Sequence, residues 1–194
     1  KKGEKISIMG DSGSGKSTLI DLILGFLKPD NGKITFDNVS VKNQYLDNII
    51  SYCPQSIHVF DTSIEKNISL ESQLKRIDIK KINKIKKICF LNNFLSKKKN
   101  DQNFFGESGS KISGGQKQRI GIARALYFNP KILILDESFN AIDVKTAKKI
   151  FENILKNYPK LTIILITHSK ILANLSQKIY TLSNKKLKLS SVLS

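Results

Sequence analysis

The sequence is poor in the residues that mark disulfide-rich, zinc-binding or membrane-spanning proteins. Its 194 residues include only two cysteines, Cys53 and Cys89, and no tryptophan. Two cysteines make neither a disulfide framework nor a Cys/His cluster with metal-ligand spacing, which favours a reducing compartment. No apolar run approaches the roughly 20 residues that cross a bilayer. With 40% hydrophobic and 25% charged residues, the composition is that of an ordinary globular domain.

Arginine is also scarce, which changes how the net charge of +17 is interpreted. Only Arg76, Arg119 and Arg124 are present, so nearly all the positive charge comes from lysine. Abundant lysine, isoleucine and asparagine are typical of an AT-rich genome. The lysines are spread along the chain, and no aromatic residues alternate with them as a nucleic-acid stacking surface requires. We therefore expect no nucleic-acid partner.

Short apolar runs alternate with helical patterns, which predicts an α/β fold. The predicted strands are Lys5–Met9, Ile34–Phe36, Ile49–Cys53, Ile132–Leu135 and Leu161–Thr167, followed by a hairpin of Lys178–Leu182 and Lys186–Ser190 around Asn184. The predicted helices are Ser17–Leu24, ended by Gly25, and a second that carries Val144, Ala147, Ile150, Phe151, Ile154 and Leu155 on one face. Continuous apolar runs such as Ile132–Leu135 are typical of parallel strands buried on both faces.

Between these parts lies a stretch with a different period. From Ser72 to Leu95 apolar residues recur mostly every three to four positions with lysines between them, which predicts an all-helical insert. A polar loop is predicted at Ser96–Asn103. We expect one domain, with a core of residues 1–70 and 126–194 and a helical subdomain of residues 71–125.

A glycine-rich loop after the first strand predicts a phosphate site. Residues 10–18 read GDSGSGKST, which matches the P-loop pattern in its required place between a strand and a helix. Its glycines turn backbone N–H groups toward an anion, and the helix N-terminus adds its dipole. Lys16 can reach the β- and γ-phosphates, Ser17 can bind Mg²⁺, and Thr18 can donate near the α-phosphate.

Two carboxylates follow the buried strand Ile132–Leu135. Asp136 at the tip of this strand can hold Mg²⁺, directly or through water. Glu137 can polarise a water for attack on the γ-phosphate. The other interpretation of this pair is an acidic start to the next segment, and the P-loop favours the functional one.

The segment Ile112–Arg119, ISGGQKQR, predicts a second anion site. Ser113 can cap the helix that follows, and Gly114 and Gly115 let a phosphate approach that helix N-terminus. An ordinary glycine-containing helix start is the alternative. Because one chain needs one γ-phosphate site, the second site favours a head-to-tail dimer.

Here the sequence resembles the ATP-binding cassette (ABC) ATPases, whose motifs it carries in order over essentially the whole chain. The motifs are Walker A (Gly10, Asp11, Ser12, Gly13, Ser14, Gly15, Lys16, Ser17, Thr18), the Q-loop Gln55, the signature (Ser113, Gly114, Gly115, Gln116), Walker B with Asp136 and Glu137, the D-loop ending in Asp143, and the switch His168. The resemblance implies a P-loop NTPase (RecA-like) core with a parallel sheet and an inserted helical subdomain. It also implies ATP and Mg²⁺ as ligands and a second cassette as partner.

The resemblance assigns roles to residues that say little alone. It makes Glu137, His168, Lys16 and Gln55 catalytic, and it gives Mg²⁺ to Ser17, Gln55 and Asp136. Otherwise a histidine at position 168 is more often structural, and Asp143 can simply cap the helix that follows it.

Two segments resemble exporter-type cassettes. Phe60–Ile68, FDTSIEKNI, follows the Q-loop, and Gly106–Lys111, GESGSK, precedes the signature. In exporters the second segment faces the transmembrane domain, so the resemblance implies a transmembrane partner and a location on the cytoplasmic face of the plasma (inner) membrane.

The sequence departs from the family in two places. The strand that carries the adenine-stacking aromatic is expected upstream of Lys1, so we interpret the chain as part of a longer polypeptide with a transmembrane domain. Phe139 stands in the D-loop where a small residue or threonine is usual, and we expect it to alter the dimer contact.

These observations lead to one function hypothesis with two rivals. We expect ATP hydrolysis that drives export of a lipid, a lipid-linked oligosaccharide or a peptide through ATP-dependent dimerisation. A soluble ABC ATPase acting on nucleic acid or ribosomes is one alternative. A P-loop kinase is the other, and it predicts no role for Ser113–Gln116.

Overall fold

A mostly parallel β-sheet organises the chain in the computed structural model, which describes residues 1–36, 39–40, 49–71, 73–92, 105–106 and 109–192. Among these residues, eight strands form: β1 (Lys5–Met9), β2 (Thr35–Phe36), β3 (Val39–Ser40), β4 (Ile50–Cys53), β5 (Ile132–Asp136), β6 (Thr162–Ile166), β7 (Lys178–Ser183) and β8 (Lys186–Val192). Six of them form the main sheet in the order β4-β5-β6-β1-β7-β8, and β2 pairs with β3. All neighbours in the main sheet are parallel except the β7–β8 hairpin.

Six α-helices accompany the sheet in the described part of the chain. They are α1 (Lys16–Leu24), α2 (Ile64–Ser69), α3 (Ile79–Ile88), α4 (Gly114–Tyr127), α5 (Val144–Asn157) and α6 (Lys170–Ala173), with a 3₁₀ turn at Leu74–Arg76. None of the helices in the described ranges has the length and apolarity needed to span a bilayer. The α/β core with a parallel sheet that the sequence predicts is confirmed.

The sheet is buried on both faces because alternate residues of its strands pack in opposite directions. Ile8, Ile134 and Ile166 pack with Ile20 of α1 on one face. The other face presents a second set of strand residues to the large core that contains α4 and α5. This two-sided burial explains the continuous apolar runs.

The strand and hairpin predictions are confirmed to within a residue or two. The turn of the final hairpin falls at Asn184 and Lys185, which both have positive φ angles (48° and 60°), as two-residue hairpin turns require. Gly25 ends α1 in the left-handed conformation, as predicted.

The described part of the predicted helical insert contains the 3₁₀ turn at Leu74–Arg76 and helix α3. The Asp78 side chain accepts a hydrogen bond from Lys81 N and so begins α3 at Ile79. The helix ends at Ile88, just before Phe90 with its φ of 53°. Apolar spacing alone did not reveal this cap or this stop. Ser72, Leu95, the loop Ser96–Asn103, and residues 107–108 of the second exporter-like segment lie outside the described residues.

The first exporter-like segment, Phe60–Ile68, folds around a buried asparagine. Asn67 is fully buried, its side chain accepts from Phe60 N (2.9 Å), and it donates to the carbonyl oxygens of Phe60 (2.9 Å) and Ser63 (3.2 Å). Ser63 caps α2. The segment is thus held in a fixed shape that leaves the Phe60 ring 49% exposed.

Phe139 of the D-loop is buried in the core. Its side chain is only 4% exposed and packs edge-on against Phe151 of α5, with ring centroids 6.1 Å apart. The aromatic ring therefore anchors the D-loop to the core.

This burial predicts a large cost for Phe139→Ala. Removing a buried Phe side chain typically lowers the free energy of unfolding by about 3–5 kcal/mol. The matched control is Phe128→Ala, because Phe128 is 52% exposed. In urea unfolding we expect a marked loss of stability for Phe139→Ala and little change for the control. Equal, small effects would contradict the packing.

Candidate nucleotide site

The predicted site residues are brought together by sheet topology. Strands β4, β5, β6 and β1 are consecutive neighbours and run parallel, so their carboxyl ends meet at one edge. The residues that follow these ends are Gln55, Asp136 with Glu137, His168, and the P-loop. Crevices at the carboxyl edge of parallel sheets are where ligands bind in open α/β folds.

The P-loop has the backbone form of an anion site. Gly13 and Gly15 have φ angles of 78° and 103°, which glycine adopts without strain. Gly15 precedes α1 with no side-chain cap, so the first N–H groups of this helix remain available to an anion. The hydroxyl of Ser14 is buried without a hydrogen-bond partner among the described residues. An orphaned donor beside open helix amides fits a phosphate ligand.

Lys16 lies folded against its own loop. Its ammonium donates to Gly10 O (2.7 Å) and Asp11 O (2.9 Å), and the residue is buried. Asp11, Ser12, Ser17 and Thr18 are exposed around it. Gly10 has a different role from Gly13, since a Cβ there would lie 2.5 Å from Leu182 O, whereas a Cβ at Gly13 meets nothing within 4 Å.

Three side chains converge on the Glu137 carboxylate. Its Oε1 lies 3.1 Å from His168 Nε2, and its Oε2 accepts from Gln55 Nε2 (3.1 Å) and Asn140 Nδ2 (2.8 Å). Glu137 has a positive φ of 48°, an uncommon conformation for a residue other than glycine. The structure thus joins three of the predicted catalytic residues, Gln55, Glu137 and His168, through hydrogen bonds.

Asp136 is held by a residue that the sequence analysis did not select. The Tyr52 hydroxyl on β4 donates to Asp136 Oδ2 at 2.9 Å. Burial raises the pKa of Asp136 above its ordinary value, and the Tyr52 hydrogen bond opposes that shift. Burial and the adjacent Asp136 in turn raise the pKa of Tyr52 well above the ordinary tyrosine value.

The oxygen atoms at this edge suit magnesium better than zinc. The described residues contain no group of three or more His, Cys, Asp and Glu side chains arranged to hold a metal. Mg²⁺ needs fewer protein ligands, because it is usually held by one or two carboxylates together with phosphate oxygens and water. Asp136, Ser17 and the Gln55 side-chain carbonyl are oxygen donors of this kind.

The predicted signature forms the N-terminus of α4 with reciprocal capping. Ser113 Oγ accepts from Gln116 N (3.2 Å), and Gln116 Oε1 accepts from Ser113 N (2.8 Å). The cap predicted for Ser113 is confirmed. No hydrogen bond between described residues joins this segment to the P-loop.

The profile of the family described as ABC transporter matches residues 1–140. This chain belongs to the ABC transporter family. A probable multidrug resistance ABC transporter ATP-binding/permease protein of Bacillus subtilis is 38% identical over 171 residues, which is 87% of this chain and 29% of that protein. An ATP-dependent lipid A-core flippase of Pasteurella multocida is 34% identical over 172 residues, with the same two coverages of 87% and 29%.

A solved ABC exporter structure is also similar to this chain. A bacterial Atm1-family ABC exporter with ATP bound superposes with a TM-score of 0.85 and 29% identity, covering 99% of this chain and 34% of that one. The chain therefore spans under a third of the length of the curated relatives named here.

Gly115 in the predicted signature has a packing role that the sequence analysis did not identify. A Cβ on Gly115 would lie 2.6 Å from Ala141 O, so this glycine lets α4 approach the D-loop of its own chain. Gln118, one turn further along α4, was not selected either, although its side chain bonds the same D-loop residue at Ala141 N (2.8 Å). No single-residue signal identifies such contacts before the fold is known.

Proposed function

We propose that this ABC domain binds and hydrolyses Mg·ATP and thereby drives an exporter. The observation that carries the proposal is the Glu137 carboxylate, held by Gln55, Asn140 and His168 at the edge of the sheet where the P-loop also lies. A base fixed beside a phosphate cradle is the arrangement that attack by water on a phosphoryl group requires.

The P-loop residues would hold the nucleotide. Residues Gly10, Asp11, Ser12, Gly13, Ser14, Gly15, Lys16, Ser17 and Thr18 form the cradle. Lys16 would exchange its two carbonyl partners for phosphate oxygens, and the orphaned Ser14 hydroxyl would gain an acceptor. Such preorganised donors stabilise charge that develops in phosphoryl transfer.

Ser17, Asp136 and Gln55 would hold the metal. Bound Mg²⁺ would supply positive charge against the phosphate oxygens. The Tyr52 hydroxyl occupies Oδ2 of Asp136, and Oδ1 accepts no hydrogen bond from the described residues. The Tyr52 bond would therefore fix the carboxylate with Oδ1 directed to the metal.

Glu137 would orient the attacking water or take its proton. Its Oε2 already accepts two hydrogen bonds, whereas Oε1 accepts one. Oε1 thus has capacity for a water proton, and His168 beside it would contact the γ-phosphate. Asn140 adds a third donor that the motif pattern does not include.

The central test is Glu137→Gln. The amide keeps the shape of the side chain and loses the base, so we expect turnover at least about tenfold slower. ATP affinity should stay within about twofold, because the cradle is intact. The measurements are steady-state ATPase activity and a nucleotide-binding isotherm.

Glu152→Gln is the matched control, since Glu152 lies on α5 in an exposed pair with Lys148. Near-normal turnover of Glu137→Gln would remove this residue from the role of base. A wild-type protein that binds ATP but never hydrolyses it would remove the function itself.

The second anion site supports a head-to-tail dimer. Ser113, Gly114, Gly115 and Gln116 form a capped helix N-terminus separate from the P-loop. In the proposed dimer each signature would complete the ATP site of the other cassette. Hydrolysis would then separate the two cassettes and let the transmembrane domain return to its starting conformation.

The segment around Phe60 supports docking to a transmembrane domain. Arg124 of α4 donates to His58 O (3.1 Å) and Asn67 O (2.9 Å), so the segment is rigidly joined to the signature helix. An exposed aromatic on a fixed loop is a suitable anchor for a partner. The fused ATP-binding/permease relative supports a transmembrane domain as that partner.

The proposed setting is the cytoplasmic face of the plasma (inner) membrane. The two named relatives, one for multidrug resistance and one for lipid A-core, differ in cargo. We propose a lipid, a lipid-linked oligosaccharide or a peptide as cargo, with contacts in the membrane part. Neither relative favours a nucleic-acid or ribosome partner for this chain.

Docking predicts a specific defect for Phe60→Asp. A buried Phe side chain contributes roughly 1.5–3 kcal/mol, so its loss should weaken retention of the transmembrane domain about tenfold or more. Phe26→Asp is the control, because Phe26 is also an exposed aromatic (74%) but lies just after α1, away in sequence from the Phe60 segment. For each variant, the fraction of transmembrane domain that co-purifies with this domain from detergent measures the docking. Equal retention of the two variants would place docking elsewhere.

A further inference from the structure

Helix α4 carries the signature at its start and a buried glutamine one turn later. Gln118 is only 6% exposed, and its amide makes two hydrogen bonds to backbone atoms. Oε1 accepts from Ala141 N at 2.8 Å, and Nε2 donates to Glu137 O at 3.4 Å. Both partners lie in the segment between β5 and α5 that contains Glu137.

The Ala141 residue is held by α4 on two sides. Its N–H donates to Gln118, and its carbonyl oxygen lies against Gly115, where a Cβ would be 2.6 Å away. A Cβ on Gly114 would also lie 3.2 Å from the Ala141 Cβ. A displacement of α4 therefore displaces Ala141 as well.

The Glu137 end of the segment has further anchors. Glu137 N donates to Ile166 O on β6 (3.0 Å), and the buried Ser138 hydroxyl donates to Cys53 O on β4 (2.8 Å). Asn140, which holds the Glu137 carboxylate, donates its backbone N–H to Glu137 O (3.1 Å). Glu137 O thus accepts from both Gln118 and Asn140, so Gln118 acts on the turn that aims the carboxylate.

We propose that Gln118 is a positioning residue that joins the signature helix to the Glu137 turn, so that phosphate capture at Ser113–Gln116 sets the carboxylate of Glu137. This inference rests on the proposed function. In the head-to-tail dimer the signature serves the partner's ATP, whereas Glu137 serves the ATP of its own chain. Gln118 then couples the two ATP sites, because its amide bonds both Ala141 N and Glu137 O.

A purely structural role makes a different prediction. Any buried amide needs partners, and its loss lowers stability wherever it lies. A positioning role also lowers turnover at unchanged ATP affinity, because only the alignment of Glu137 is affected. The separation of kcat from the ATP dissociation constant distinguishes the two roles.

The experiment compares Gln118→Met with Gln177→Met in the intact protein. Methionine keeps the length of the side chain and removes both hydrogen bonds. Gln177 is exposed but also bonds backbone through its side chain, accepting from Lys5 N (2.9 Å) at the opposite end of β1. We expect Gln118→Met to lower kcat about five- to tenfold with ATP affinity within about twofold, and Gln177→Met to leave both unchanged.

A double-mutant cycle with Ser113→Ala tests the coupling itself. If capture at the signature reaches Glu137 through Gln118, the combined loss in kcat is smaller than the product of the two single losses. Gln118→Glu is the second variant if Gln118→Met does not fold. It keeps an acceptor for Ala141 N and removes the amide donor to Glu137 O, and we expect a loss of at least about threefold in kcat.

The possible outcomes separate the inference about Gln118 from the proposed function. Equal kcat for Gln118→Met and Gln177→Met, or single losses that multiply in the cycle, would overturn the inference while the proposed function stands. A loss of ATP affinity in Gln118→Met as large as its loss of kcat would also overturn the inference. A wild-type protein without Mg·ATP hydrolysis would instead overturn the proposed function.

Discussion

The parallel pairing of β4, β5, β6 and β1 is the constraint on which the rest of the molecule depends. Parallel neighbours end at one edge, so four loops that are far apart in sequence must meet there. Burial on both faces fixes the register, and the pairs Leu135 with Leu165 and Ile8 with Ile166 set the height of each loop. The phosphate cradle and the carboxylates are thus positioned by backbone hydrogen bonds, and side chains only refine the arrangement.

Around this edge the polar groups are held by one another before any ligand arrives. Lys16 bonds its own loop, Tyr52 bonds Asp136, and three donors hold Glu137. In the proposed function, binding would exchange these hydrogen bonds for new ones, with little further ordering of side chains. Helix α4 extends this order away from the edge, because Arg124 joins it to the Phe60 loop and Gln118 joins it to the D-loop.

The strands, the P-loop and the capped signature could be predicted because each depends on neighbouring residues. Buried strands show as apolar runs, and Ser113 with Gln116 is a local capping pattern. Glu137 was selected from its place after a buried strand, whereas Gln55 was assigned a role by the family resemblance and His168 mainly so. The hydrogen bonds that join the three were not predicted, since no local rule relates these positions. Asn67, Gln118 and Asn140 were missed because their partners lie on other segments or on an irregular turn. The burial of Phe139 was not predicted, because composition does not tell which side of a loop faces the core.

The central claim is that two copies of this domain share two ATP sites, each completed by the other's signature. The most direct measurement is the mass of the Glu137→Gln protein by light scattering, with and without Mg·ATP. The account predicts a mass that doubles only when Mg·ATP is present. A monomer mass at nucleotide concentrations where a binding isotherm on the same sample shows saturation would contradict it.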